Sequence, residues 1–86
     1  MTIPNLATIR QSLVIRGELG GETFVPWIER HSTRLGLSAH RVSTTAERIE
    51  LEVEGQPDLI DALEMGCLLG PIDVWVSSIE RSTSTA

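Results

Sequence analysis

The segment Arg48 to Gly55, "RIELEVEG", constrains this fold more than any other stretch of the chain. Ile49, Leu51 and Val53 alternate with Glu50, Glu52 and Glu54. Successive side chains of a strand point to opposite faces, so this one has an apolar face and a charged face. Such a strand belongs to a sheet packed on one side and wet on the other. The remaining sequence must therefore supply a cover for one face only.

Two segments of helical period supply it. Phe24, Trp27, Ile28, His31 and Leu35 fall three or four apart and mark one face of a helix that begins near Thr23. Thr23 suits the N-cap, Pro26 is tolerated in the first turn, and Gly36 suits the C-terminal cap. In "QPDLIDALEMGCLLG" the residues Leu59, Ile60, Leu63 and Cys67 share a second helical face, with Leu68 at its margin and Pro57 and Asp58 in the first turn. Around these helices, "IRQSLVIRGEL" from Ile9, "SAHRVSTT" from Ser38 and "GPIDVWVSSIE" from Gly70 read as strands. A polar turn over residues 45–47 joins the second strand to the glutamate-bearing third. The order β-α-β-β-α-β, with right-handed crossovers, predicts an α+β ferredoxin-like sandwich: an antiparallel sheet with two helices on one face.

Eighty-six residues, 41% of them hydrophobic, suit one small domain over 1–86, with a leader 1–8 and a polar tail 82–86 expected to be disordered. The segment "RSTSTA" as a whole reads as frayed. Twelve acidic residues against seven arginines, and no lysine, give a net charge of −5. That balance argues against nucleic acid and against an anionic membrane surface, both of which need a basic face. No apolar run approaches the ~20 residues of a membrane span, and the N-terminus lacks the basic and apolar regions of a signal peptide. The expected location is the cytoplasm. The single Cys67 excludes an intramolecular disulfide, and with His31 and His40 on different elements no metal site is expected. His31 reads as a half-buried packing residue, His40 as an edge residue, Cys67 as a small buried hydrophobe and Trp27 as core.

The loop "RGELGGETFVPW" carries glycines where backbone amides can cradle an anion, before a helix start. It also carries Glu18 and Glu22 and has no basic side chain between Arg16 and Arg30. Gly17, Leu19, Gly21 and Phe24 fit a loop reading G-x-V-Q-G-V-x-F. They are followed by "LGL" at Leu35 to Leu37, "VEG" at Val53 to Gly55, "GP" at Gly70–Pro71, and Val74 and Val76 in the last strand. In this unbroken run from about Val14 to Glu80 the chain resembles the acylphosphatases, which hydrolyse the carboxyl–phosphate bond of acyl phosphates and need no cofactor.

The resemblance implies an anion-binding loop at Gly20, Gly21, Glu22, Thr23 and Phe24. It places the family's phosphoryl-binding arginine on Val25 and its water-orienting asparagine on Ser43, or on Thr44 if the second strand slips by one to bury Val42. Val25 has no donors for a phosphoryl group, whereas a guanidinium would grip it bidentately. Glu22 would repel the anion. The family mechanism is therefore expected not to run, leaving a binding or interaction module. The alternative is an active enzyme with a rearranged site that uses Arg16 or Arg41 with Ser43. A fifth, final edge strand that many members carry is not supported by the short tail. Trp75 is expected on the open sheet face beside Val14, as a contact patch for a protein partner or a second copy.

Overall fold

The glutamate-bearing strand lies inside the sheet, where its two faces do different work. The computed structural model describes residues 8–20, 23–71 and 74–83. The elements are β1 (Ile9–Glu18), α1 (Phe24–Arg34), β2 (Ser38–Thr44), β3 (Arg48–Gly55), α2 (Pro57–Leu69) and β4 (Trp75–Thr83). The strands are ordered β2-β3-β1-β4, and every neighbouring pair is antiparallel. The expected βαββαβ sandwich is the fold that forms.

Leu13 sits opposite Leu51, and Ile15 opposite Ile49, in the β1–β3 register. These residues and Val53 meet Phe24, Val25 and Ile28 of α1 and Ile60, Leu63 and Cys67 of α2 in one buried cluster. Each large aliphatic or aromatic side chain enclosed this way contributes about 1.5–3 kcal/mol relative to exposure. The other sheet face carries ion pairs instead: Arg10–Glu54 at 3.8 Å, Arg16–Glu80 at 3.3 Å and Arg48–Glu50 at 3.2 Å. Exposed pairs of this kind stabilise little. They keep the open face wet.

α1 starts at Thr23, so Pro26 falls in its first turn as expected. It stops in a Schellman arrangement: the Gly36 N–H bonds the Thr33 carbonyl at 3.0 Å and the Leu37 N–H bonds the Ser32 carbonyl at 2.9 Å. Gly36 makes this possible with φ of 77°. The buried face is rotated from the one expected. It consists of Phe24, Val25, Ile28 and Ser32, while Trp27, His31 and Leu35 are only partly buried. Ser32 is tolerated inside because its hydroxyl donates to the Ile28 carbonyl at 2.8 Å. Trp27 and His31 stack at 5.1 Å on the flank nearest α2. There Gly66 leaves the space: a Cβ on it would lie 2.6 Å from Nε2 of the His31 ring.

On α2 the expected inner face holds at Ile60, Leu63 and Cys67, but Leu68 lies 44% exposed. The reading of "RSTSTA" as frayed is corrected for its first half. β4 runs to Thr83, taking in Ser82 and Thr83, while 84–86 lie outside the described residues. Arg81 is the physical reason. Its guanidinium donates to Asp61 and, at 3.0 Å, to Glu64 of α2, and to Gln11 of β1 at 2.8 Å. The hydrogen bond donated to Asp61, opposed by partial burial and supported by Glu64, holds this group still more firmly charged than usual. Replacing Arg81 with methionine should destabilise the fold by about 1–3 kcal/mol in urea titration, less at high salt. An unchanged unfolding midpoint would show that the clamp carries no stability.

Candidate anion loop at the end of the sheet

The candidate site lies where β1 hands the chain to α1. The hairpin turn between β2 and β3 is stitched to it by two backbone bonds, Gly17 N–H to the Glu47 carbonyl at 3.1 Å and Leu19 N–H to the Ala46 carbonyl at 2.8 Å. Thr45 holds the turn itself, its hydroxyl accepting the Arg48 N–H at 2.9 Å and the Glu47 N–H at 3.2 Å. Leu19 is buried and anchors the loop, and Gly20, at φ of 70°, turns the backbone out of the sheet. Gly21 and Glu22, both assigned to the loop from sequence, lie outside the described residues.

Thr23 is exposed at the helix start, whereas the Phe24 ring is fully buried and offers the loop only its backbone. The first amides of a helix lack partners inside it. Pro26 has none to give, and the Trp27 N–H is already bonded to the Thr23 carbonyl at 3.2 Å. Among the described residues the amides of Phe24 and Val25 have no partner within the helix and are the ones placed to meet an anion. The Val25 side chain is 5% exposed and belongs to the core.

The second strand does not slip to bury Val42. It bulges there, and Val42 is 56% exposed. Arg41 pairs with Leu51, but Ser43 pairs with Glu50 and Thr44 with Ile49. Residues directly opposite share a sheet face. Ser43 is thus on the open face, where its hydroxyl accepts from Arg48 at 3.4 Å. Thr44 shares the helix-covered face with buried Ile49.

Among the described residues neither arginine proposed as a substitute bonds the loop. Arg16 is tied to Glu80 on the open face. Arg41 is exposed on the helix-covered side of edge strand β2, with no ion pair among the described residues. Arg48, which sequence reasoning passed over, stands opposite Arg16 and bonds both Glu50 and Ser43. Its place beneath the turn could be found only through the β1–β3 register.

Trp75 is 70% exposed and pairs with Glu18, which puts it on the open face. Val14 pairs instead with Glu80 and Glu50, so Trp75 and Val14 share a face without being cross-strand partners. His40 is exposed on edge strand β2. A shallow recess on the outer side of α1 is lined, among the described residues, by Glu29, Arg30, Thr33 and Arg34. Among the described residues no cluster of three or more His, Cys, Asp and Glu could hold a metal, and no helix is long and apolar enough to cross a membrane.

Cys67 is buried, and burial, with a smaller push from Glu64, raises its thiol from 9.0 to about 12. The folded thiol is therefore unreactive near neutral pH. The unfolded chain loses this proton from about pH 9 while the folded chain keeps it, so rising pH favours unfolding. The chain has no tyrosine and no lysine, which leaves Cys67 to dominate that range. Unfolding free energy should fall by about 2 kcal/mol between pH 8 and pH 10.5. In Cys67→Val the slope should vanish; an equal slope there would refute the assignment.

No family model matches the chain. It is 30% identical over 79 residues to an acylphosphatase from Synechococcus sp. (strain WH7803), covering 92% of this chain and 79% of that one. Among solved structures it resembles an acylphosphatase from Coxiella burnetii (TM-score 0.83, 18% identity, 96% and 90% of the two chains). It also resembles one from Bacillus subtilis (TM-score 0.80, 15% identity, 91% and 87%). Full-length HypF in a phosphate- and nucleotide-bound form matches at TM-score 0.80 and 18% identity, over 92% of this chain and 10% of that one.

Proposed function

Because this chain belongs to the acylphosphatase family, we propose that it keeps the family's fold and loop without its hydrolytic activity, and acts as a binding module. The carrying observation is Val25. At the first turn of α1, beside the loop, an aliphatic side chain is packed into the core. Phosphoryl transfer is catalysed by donors aimed in advance at the transferring oxygens, and valine has none. Arg16 does not offset this loss from its place on the open face of the sheet, where its partner is Glu80 at 3.3 Å. A hydroxyl at Ser43 that already accepts from Arg48 is a poor holder of an attacking water.

The loop would still bind phosphate weakly through the backbone, with acyl phosphate as the related ligand. Binding of a protein partner would use the corner of the sheet marked by Trp75. A cytoplasmic setting fits a chain whose one cysteine is buried. The deciding experiment is hydrolysis of acetyl phosphate by the purified protein, with phosphate titrated against the amide signals of Gly20 to Phe24. Background turnover with small amide shifts supports the reading. Turnover well above background overturns it and makes Arg41→Ala and Arg16→Ala the next variants.

A further inference from the structure

The charges on the open face of the sheet are unevenly spent. Arg10, Arg16 and Arg48 stand on that face, and each is held by a carboxylate beside it: Glu54, Glu80 and Glu50. Glu80 and Glu50 both pair with Val14, two residues before Arg16 on β1, and Arg48 stands opposite Arg16. Arg16 and Arg48 therefore lean towards the middle of the sheet and away from the end of β1. At that end Glu18 stands opposite Trp75. Glu18 is exposed, with no ion pair among the described residues, and Trp75 is 70% exposed. Residues directly opposite on one sheet face have Cβ atoms about 4.5–5.5 Å apart, so one incoming group can touch both.

We infer that this corner docks a basic, arginine-bearing segment of a partner protein, one guanidinium lying on the Trp75 indole and donating to the Glu18 carboxylate. This rests on the reading of the domain as a binding module and names the chemistry of its partner. An indole face attracts a cation through its quadrupole, and a carboxylate alongside adds charge and two acceptor oxygens. Arginine suits the pair better than lysine, because its planar group stacks on the ring while its edge still donates. A further cation on the same segment would find Glu80, whose exposed pair with Arg16 holds it only weakly. The chain's net charge of −5 draws such a partner in, and it repels an acidic segment or a second copy of the chain.

The experiment titrates a short blocked arginine–glycine peptide into the whole chain and follows the two indole N–H signals by NMR, with a glutamate–glycine peptide beside it. The Trp75 signal should move and the Trp27 signal stay, at a Kd on the order of 1 mM in low salt that rises as salt is added. Trp75→Ala and Glu18→Gln should each weaken binding about 3-fold or more, and the two together about 10-fold. Both side chains are exposed, so the variants should fold. Glu29→Gln on α1 removes the same charge from another exposed place and should leave binding unchanged. The inference is overturned if the basic peptide moves neither signal, if the acidic one binds as well, or if Glu29→Gln weakens binding as much as Glu18→Gln. The hydrolysis assay is independent. Turnover by a protein that binds the peptide here would sink the binding-module reading and leave this surface standing, whereas an inactive protein that ignores the peptide would sink this inference alone.

Discussion

Wild-type protein should hydrolyse acetyl phosphate at the uncatalysed rate, and Val25→Arg with Ser43→Asn should raise that rate by at least ~10²-fold. One preorganised donor at a phosphoryl or oxyanion site is worth about 10²–10³ in rate, and the arginine adds a charge that neutralises the phosphoryl oxygens. Val25→Arg alone should recover part of the gain. The core position of Val25 sets the cost of this design. An arginine there keeps its stem inside and must carry its head to the loop, as long basic side chains can. The variant should melt lower than wild type yet remain folded, which circular dichroism would check. Pairing Val25→Arg with Thr44→Asn instead tests the strand register. Ser43 is on the open face and Thr44 on the helix-covered face, so the faster double variant identifies the face from which a water reaches the loop. Failure of both folded variants to gain rate would mean that the loop itself no longer forms the family's cradle.

Gly17→Ala should be the most damaging single change to the fold, destabilising it by about 3 kcal/mol or more in denaturant titration. At Gly17 the β1–β4 register shifts, and the backbone of β4 crosses close by. A Cβ there would collide with the Trp75 carbonyl oxygen and lie 2.9 Å from the Ser77 nitrogen. Both are backbone atoms, so relief requires moving a strand rather than a rotamer. The φ of 154° adds a conformation that side chains rarely adopt. Gly36→Ala is the control: φ is also positive there, at 77°, but a Cβ would meet nothing within 4 Å. It should cost only the ~1 kcal/mol of a left-handed residue. Equal losses at the two positions would show that conformation, and not the approach of β4, is what Gly17 provides.

Most of the sandwich is legible because local period carries it. Ile49, Leu51 and Val53 are buried where alternation puts them, and Ile60, Leu63 and Cys67 where a helical repeat does. α1 shows the limit of that method. Trp27 and His31 follow the apolar repeat, but their place between the helices depends on the space left by Gly66, which is remote in sequence. Ser32 was missed because its burial depends on a bond to its own helix. The tail misled for a related reason. A polar segment reads as frayed until the partners of Arg81, 20 and 17 residues away in the case of Asp61 and Glu64, are seen beside it.

By itself the amino-acid sequence determined the order of elements, the face of each inner strand, the glycine-bearing loop and the absence of an arginine at Val25. These are properties of neighbouring residues, and a period or a missing side chain is visible in one dimension. Only the tertiary structure decided that Val42 bulges, that Ser43 and Thr44 part to opposite faces, and that Arg16 is committed to Glu80. It alone decided that Trp75 pairs with Glu18 rather than with Val14. Those facts depend on strand register, and register is set by which distant strands meet and where the pairing slips by one residue.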